Sequence, residues 1–456
     1  MDSRYVADAG RRRAELARTA RWADADAVVR EVLEQAAETG GVLPDLVYLP
    51  GCAALGIAAT EEASAAVAEA RRHVVEAMLL TNRGTDRRQA ISLVLRALEE
   101  SGYEDVLTFW CGLMTLLHAD EFALAERECA TAASLNHWSR FPARRRLLDL
   151  IRGRMCALSG KLREARSVLA ELAKVPSGCG EVAAIWLVEV FAELGDVSSA
   201  TDLLHAHGML GSIAEGRDRP LILAARGAVE FAAGRFEQGL ENFIACGREL
   251  SGWSVFNPAV VPWRSRAALC ASALQRCDLA ISLAQDDLMY ARSWGTPWTR
   301  GAALHALGLA RCDEHSAQYL REAVTAILQG TTQSERIRVS FDLGLYHWRR
   351  LDFEDARRML TTARNFADDC ESRVWSDRSR VALGRLNGDI TTTALTEREA
   401  LIGGLARAGL SNKEIAEHAN LTVRTVEQHL SSVYRKLGIS GRSDMAYAMV
   451  NPCFSA

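Results

Sequence analysis

Proline is scarce in this chain, nine in 456 residues, and no segment alternates apolar and polar residues long enough to make a half-buried strand. With few helix breakers and no period-two pattern, sandwich, barrel and alternating β/α architectures are excluded. Eleven cysteines occur, but none as CxxC, and most sit in apolar helical stretches. That excludes a zinc ribbon or disulfide framework and leaves small buried hydrophobes in a reducing compartment. No run of eighteen apolar residues is present, and the opening "MDSRYVADAGRRRAEL" has no apolar core of signal-peptide length. A soluble, cytoplasmic protein is expected. Lysine is nearly missing, four against fifty arginines, a bias that reads as high-GC genome composition. The net charge is only −4, so any attraction to a polyanion has to come from a local patch.

What is there is helix. Ala, Leu, Arg and Glu dominate, apolar residues recur at i, i+3, i+4 and i+7, and 49% of residues are hydrophobic, enough for a large core. The fold class expected is all-α.

A repeat runs through it: a turn residue, an apolar residue two later, a small one three after that. The copies are "DEFALA" (Asp120, Phe122, Ala125), "GKLREA" (Gly160, Leu162, Ala165), "GDVSSA" (Gly195, Val197, Ala200) and "GRFEQG" (Gly234, Phe236, Gly239). Weaker ones start at Cys277, Cys312 and Leu351, and an eighth, "ARWADA", starts at Ala20. From Asp120 to Leu351 the spacings are 40, 35, 39, 43, 35 and 39 residues. The small residue lets a second helix cross the first closely, and the apolar one fills the groove beside it. One hairpin cannot bury its own face, so neighbours stack. The pattern resembles degenerate tetratricopeptide-like repeats. It predicts a helical-hairpin solenoid over 1–386, with a long loop within 37–60 and a polar linker over 387–394.

Beyond the linker the helix starts are legible. Thr396 with Glu399 and Ser411 with Glu414 make capping boxes, Thr422 suits an N-cap, and Gly409 and Gly438 suit helix ends. Helices are expected at 397–408, 412–419, 423–437 and 442–449. The third is two-faced. Val426, Leu430, Val433 and Leu437 form a buried stripe. Thr425, Gln428, Ser431, Ser432 and Arg435 lie off it, with the hydroxyls, amide and guanidinium that bond phosphates and base edges. A short turn through Asn420 and Leu421 gives helix-turn-helix spacing. Residues 393–456 carry seven Lys/Arg and six Asp/Glu, with Lys413, Arg424, Arg435 and Lys436 flanking the polar face. The same features also suit a helix pair that binds a protein partner.

The motifs L-T-x-R-E (Leu395 to Glu399), G-x-S-N-K-E-I-A (Gly409 to Ala416), T-V-x-x-H (Thr425 to His429) and K-L-G (Lys436 to Gly438) resemble the DNA-binding domain of LuxR-type transcriptional regulators. The resemblance implies a four-helix domain over 395–450 with Val423 to Leu437 as recognition helix. It implies that Glu427, Gln428 and Ser431 face bases, and that Asn412, Lys413, Arg424, Thr425, His429, Arg435 and Lys436 meet phosphate. Glu427 departs from the neutral or basic residue usual there, and an acid at that point suits a cytosine amino group. Implied partners are double-stranded DNA, a second copy joined through Arg442 to Val450, and RNA polymerase, in a nucleoid-associated protein.

The stretches Asn257 to Leu274 and Ala291 to Arg311 resemble the helical-repeat part of large ATP-binding LuxR-family regulators. The phosphate-cradling G-x-x-x-x-G-K-S/T is absent; "GSIAEGRDRP" from Gly211 has no Lys-Ser/Thr. The likeness is therefore to the C-terminal half of such regulators, with no ATP switch.

No catalytic residue, cofactor or metal site is expected. H-E-x-x-H and nucleophile-elbow spacings are missing, His205 and His207 diverge on a helix, and His429 has no second ligand at i+3 or i+4. Trp263, Trp294 and Trp298 cluster near one repeat junction, either as solenoid core or lining a groove for a small-molecule or protein effector. The reading is a DNA-binding transcriptional regulator controlled through its repeats. The alternative is a repeat scaffold whose terminal module binds a protein.

Overall fold

The computed structural model describes residues 48, 50–51, 55, 64–211, 218–311, 313, 315–330, 333–387, 395–407, 410–437 and 441. Among them are twenty-one α-helices and no strand. The expected "ARWADA" copy, the 388–394 part of the linker, Gly409, Gly438 and the 442–449 helix lie outside the described residues.

Antiparallel hairpins follow one another along the chain. The first pairs α1 (Ala65–Arg83) with α2 (Arg87–Glu100), and the second α3 (Val106–His118) with α4 (Phe122–Ser134), followed by the short α5 (Asn136–Ser139). Then come α6 (Pro142–Leu158) with α7 (Leu162–Ala173), and α8 (Gly178–Leu194) with α9 (Val197–Ala206). The fifth and sixth pair α10 (Arg219–Ala232) with α11 (Phe236–Gly252), and α12 (Trp263–Ala273) with α13 (Cys277–Trp294). The last two pair α14 (Pro297–Arg311) with α15 (Ser316–Ile327), and α16 (Gln333–Arg349) with α17 (Phe353–Asp369); α18 (Arg373–Leu386) packs on α17.

The repeat signature sits at the hairpin turns. Asp120, Gly160, Gly195, Gly234 and Leu351 have φ between 63° and 81°, the left-handed conformation that reverses the chain after a helix. The small residues Ala125, Ala165, Ala200, Gly239 and Ala356 are buried at the crossings. The copy read from Cys277 needs correction. There the left-handed residue is Gln275 (φ 60°), Cys277 opens the helix, and Ala280 is fully buried, while Leu279 and Ser282 face solvent. The true register is two residues earlier, because backbone conformation sets the turn and Gln275 carries no sequence mark of it. In the copy read from Cys312, Cys312 and Glu314 lie outside the described residues, and Ala317 is buried.

A second device recurs on the facing helix. A Cβ on Gly153 would lie 2.7 Å from Leu169, one on Gly227 2.8 Å from Phe243, and one on Gly344 2.8 Å from Leu360. In each case the glycine sits sixteen residues before the large side chain that fills its place, so the two helices of the hairpin approach through a missing side chain.

The solenoid winds back on itself. The backbone N–H groups of Phe256 and Asn257 donate to the Asn82 carbonyl at 2.8 and 3.1 Å. Asn257 Nδ2 donates to Thr81 O at 2.7 Å, Ser293 Oγ to Gly84 O at 2.8 Å, and Trp294 Nε1 to His118 O at 2.8 Å. The sixth hairpin is thereby tied to the first two. Farther on, Arg163 pairs with Glu371 and Gly195 abuts Val374, tying the third and fourth hairpins to α18. Of the 37–60 segment, Tyr48, Pro50 and Gly51 are buried; Pro50 O accepts from Trp110 Nε1 at 2.8 Å and Gly51 N–H donates to Asp218 at 2.9 Å. No described helix is long and apolar enough to cross a membrane.

Candidate nucleic-acid interface and interior groove

Three helices close the described chain: α19 (Glu397–Arg407), α20 (Asn412–Ala419) and α21 (Val423–Leu437). Their starts follow the predicted caps. The Glu399 N–H donates to Thr396 Oγ1 at 3.3 Å, and its carboxylate accepts from the Thr396 N–H at 2.7 Å. The Ser411–Glu414 box is likewise complete, and Thr422 Oγ1 accepts from the Thr425 N–H at 3.2 Å. Asn420 takes a left-handed conformation (φ 54°), with its N–H aimed at the last carbonyls of α20, and this makes the tight turn. Ile402, Ala406, Ile415, Ala416, Val426, Leu430 and Val433 form the core, each large side chain supplying about 1.5–3 kcal/mol by burial.

The opposite face of α21 is open. Arg424, Glu427, Gln428, Ser431 and Arg435 are exposed, as is Lys413 at the start of α20; Asn412, Thr425, His429 and Lys436 are half-buried. Thr425 Oγ1 lies 2.8 Å from Thr422 Oγ1, and Ser431 Oγ donates back to Glu427 O at 2.8 Å. Lys436 differs from the other cations. Its ammonium lies 2.6 Å from Glu399 Oε2, and Ser432 Oγ donates to Glu399 Oε1 at 2.8 Å. One carboxylate thus caps α19 and fastens it to α21. Lys436, Thr396 and Ser432 together hold the Glu399 carboxyl down at about 2. Sequence reading saw only the capping half of this arrangement. The Glu399–Lys436 contact spans 37 residues, and no local spacing announces it.

A second feature, raised in the sequence only as one of two readings of the Trp263, Trp294 and Trp298 cluster, lies inside the solenoid's winding. A groove of about 190 Å3 is lined from most of the hairpins. Trp263 and Trp298 line it, whereas Trp294 is buried in the core. Trp186 and Trp375 complete four indoles, and Arg154, Arg266, Arg338 and Arg378 share the wall with Glu189, Glu193 and Glu335. Arg266 reaches Glu335 at 2.7 Å and Glu193 at 3.7 Å; Arg338 reaches Glu335 at 3.0 Å and also pairs with Glu193. Burial opposes ionisation of Glu335, but the two guanidinium groups outweigh it and hold the carboxyl below its ordinary range. Burial pushes His118 down to about 3, so this groove-lining ring is neutral.

Other titratable groups fall into ordinary roles. His205 is exposed and His207 half-buried. Five of the eight described cysteines are buried, and Cys277 is exposed. His347, Asp352 and Asp355 gather at one hairpin turn, where Asp355 pairs with Arg358 at 2.6 Å.

Residues 393–449 match the family model for bacterial regulatory proteins of the luxR family, GerE. Over 55 residues the chain is 38% identical to the HTH-type transcriptional regulator MalT of Klebsiella pneumoniae, and it is also similar to MalT of Cronobacter sakazakii at 38%. The match spans 12% of this chain and only 6% of either relative's length. Among solved structures, a Rap protein complexed with competence and sporulation factor aligns over 74% of this chain and 94% of its own, at 13% identity and a TM-score of 0.49. That likeness is too distant to carry a ligand across.

Proposed function

We propose that the chain, with a luxR-family regulatory domain over 393–449, is a sequence-specific DNA-binding transcriptional regulator controlled through its helical repeats. The observation that carries the reading is α21: one side seals a core, while the other presents Arg424, Glu427, Gln428, Ser431 and Arg435 to solvent. A helix so presented fits the major groove. In this reading Glu427, Gln428 and Ser431 face bases, and Asn412, Lys413, Arg424, Thr425, His429 and Arg435 meet phosphate. Lys436 acts first as the anchor of α21 on Glu399 and reaches phosphate only through what that bond leaves free. The chain binds as a dimer on a two-fold site, and RNA polymerase is a further partner.

The test separates two kinds of contact in the full chain. Arg424→Ala should weaken specific and scrambled duplexes alike and lower the slope of log K against log salt by about 1. Gln428→Ala should cost about 1–3 kcal/mol on the specific site and leave scrambled DNA unchanged. Equal behaviour of the two variants on both duplexes sinks the assignment.

A further inference from the structure

Four indoles and four guanidinium groups converge on the interior groove from different hairpins. Trp186 comes from α8, Trp263 from α12, Trp298 from α14 and Trp375 from α18; Arg154 comes from α6, Arg266 from α12, Arg338 from α16 and Arg378 from α18. Against these stand three carboxylates, Glu189, Glu193 and Glu335. Among the described lining residues, cations and carboxylates thus stand side by side, and His118 is neutral. The remaining lining is apolar, from Met114, Leu117, Phe122, Leu158, Val190 and Phe231 among others. Arg154 lies over Trp186 at 5.1 Å and Arg378 over Trp375 at 4.8 Å, so aromatic faces and cations alternate. His118 Nδ1, buried and without a hydrogen-bond partner, adds a neutral polar atom.

The ion pairs on this wall differ in how firmly they are held. Glu335 and Arg338 are each about 6% exposed at the side chain, whereas Glu193 is 23% and Arg266 18%. Glu193 is the most exposed of the four. It stands one residue before the end of α8 and reaches across to α12 and α16. An acidic group entering the groove meets the same two guanidinium groups that Glu193 engages.

We propose that this groove is the receptor site of the repeat region, and that it takes a small organic anion with an aromatic body. The indoles and apolar wall hold the body, and the acidic group takes the place of Glu193 on Arg266 and Arg338. Arg266 and Arg338 select the acid: a neutral aromatic molecule brings them no carboxylate or sulfonate in place of Glu193, and a cation brings them no acceptor. Displacing Glu193 releases α8 from α12 and α16, so occupancy is coupled to the winding of the solenoid. The assignment rests on the reading of the repeats as the controlling part of the regulator.

The test uses the full chain and no DNA, so its failure is distinct from failure of the DNA-binding reading. All ten tryptophans precede residue 376, so their emission reports on the repeats alone. The probe is 8-anilinonaphthalene-1-sulfonate, an aromatic body with an anionic group, and the comparator is N-phenyl-1-naphthylamine, which lacks the anion. One saturable sulfonate site per chain is expected, with the neutral comparator about tenfold or more weaker, as befits loss of a charged hydrogen bond. Glu193→Gln, which removes the internal competitor, should tighten the sulfonate roughly threefold or more and leave the comparator unchanged. Ala228→Phe and Ala192→Phe fill the groove from different helices, and each variant that retains the wild-type circular dichroism should lose the site. Equal binding of both probes, or undiminished binding by a folded groove-filled variant, overturns the proposal.

Discussion

At the scale of single residues, Glu399 links the two tasks of the C-terminal domain. One carboxylate caps α19, accepts from Ser432 and pairs with Lys436, so it fixes where α21 stands relative to α19. Its pKa is depressed to about 2. It therefore contributes stability that is fully present above the carboxyl's unfolded value of roughly 4.3 and is lost as pH falls through about 2. Glu399→Gln should lower hydrogen-exchange protection of the Val426, Leu430 and Val433 amides at neutral pH. The difference from wild type should narrow below about pH 4. A difference that stays constant from pH 7 to 3 would show that the carboxylate's charge is not what holds α21.

At the scale of the elements, much was legible from sequence. Both capping boxes and the Thr422 cap lie where local chemistry places them, because a cap is an interaction within four residues. The bounds 412–419 and 423–437 coincide with α20 and α21. The hairpin turns were legible where glycine or aspartate marked them and at Leu351, where Phe353 and Ala356 kept the register, and misread at Gln275, where the same left-handed conformation is held by a residue with no propensity for it. The paired glycines escaped notice because their partners lie sixteen residues away on another helix. They carry a prediction. Gly227→Ala gains about 1 kcal/mol of helix propensity, yet its Cβ meets the Phe243 ring, and such overpacking costs about 1–3 kcal/mol. The net change should be a lower denaturation midpoint at unchanged m-value; a raised midpoint would mean that the ring yields freely.

At the scale of the whole molecule, the winding is what periodicity does not encode. Repeat spacing predicts that neighbours stack; it is silent on which distant hairpins meet. The Asn257 bonds to Thr81 and Asn82 span about 175 residues, and the groove is lined by hairpins distant in sequence. A solenoid with nearest-neighbour contacts alone unfolds piecemeal, whereas a tied one unfolds together. Asn257→Ala leaves the buried Thr81 carbonyl without this donor, at a cost of about 1–3 kcal/mol. The tryptophan-fluorescence and circular-dichroism transitions should coincide in wild type and separate in this variant. Coincident transitions in the variant would show that the tie does not enforce cooperativity.

The central claim is that this chain reads DNA through α21, and selection of binding sites from random duplexes by the full chain tests it most directly. The account predicts enrichment of one sequence built of two inverted half-sites, with binding that weakens steeply as salt rises from about 50 to 200 mM. Recovery of no enriched sequence, together with no salt-dependent binding at the low end of that range, would contradict it.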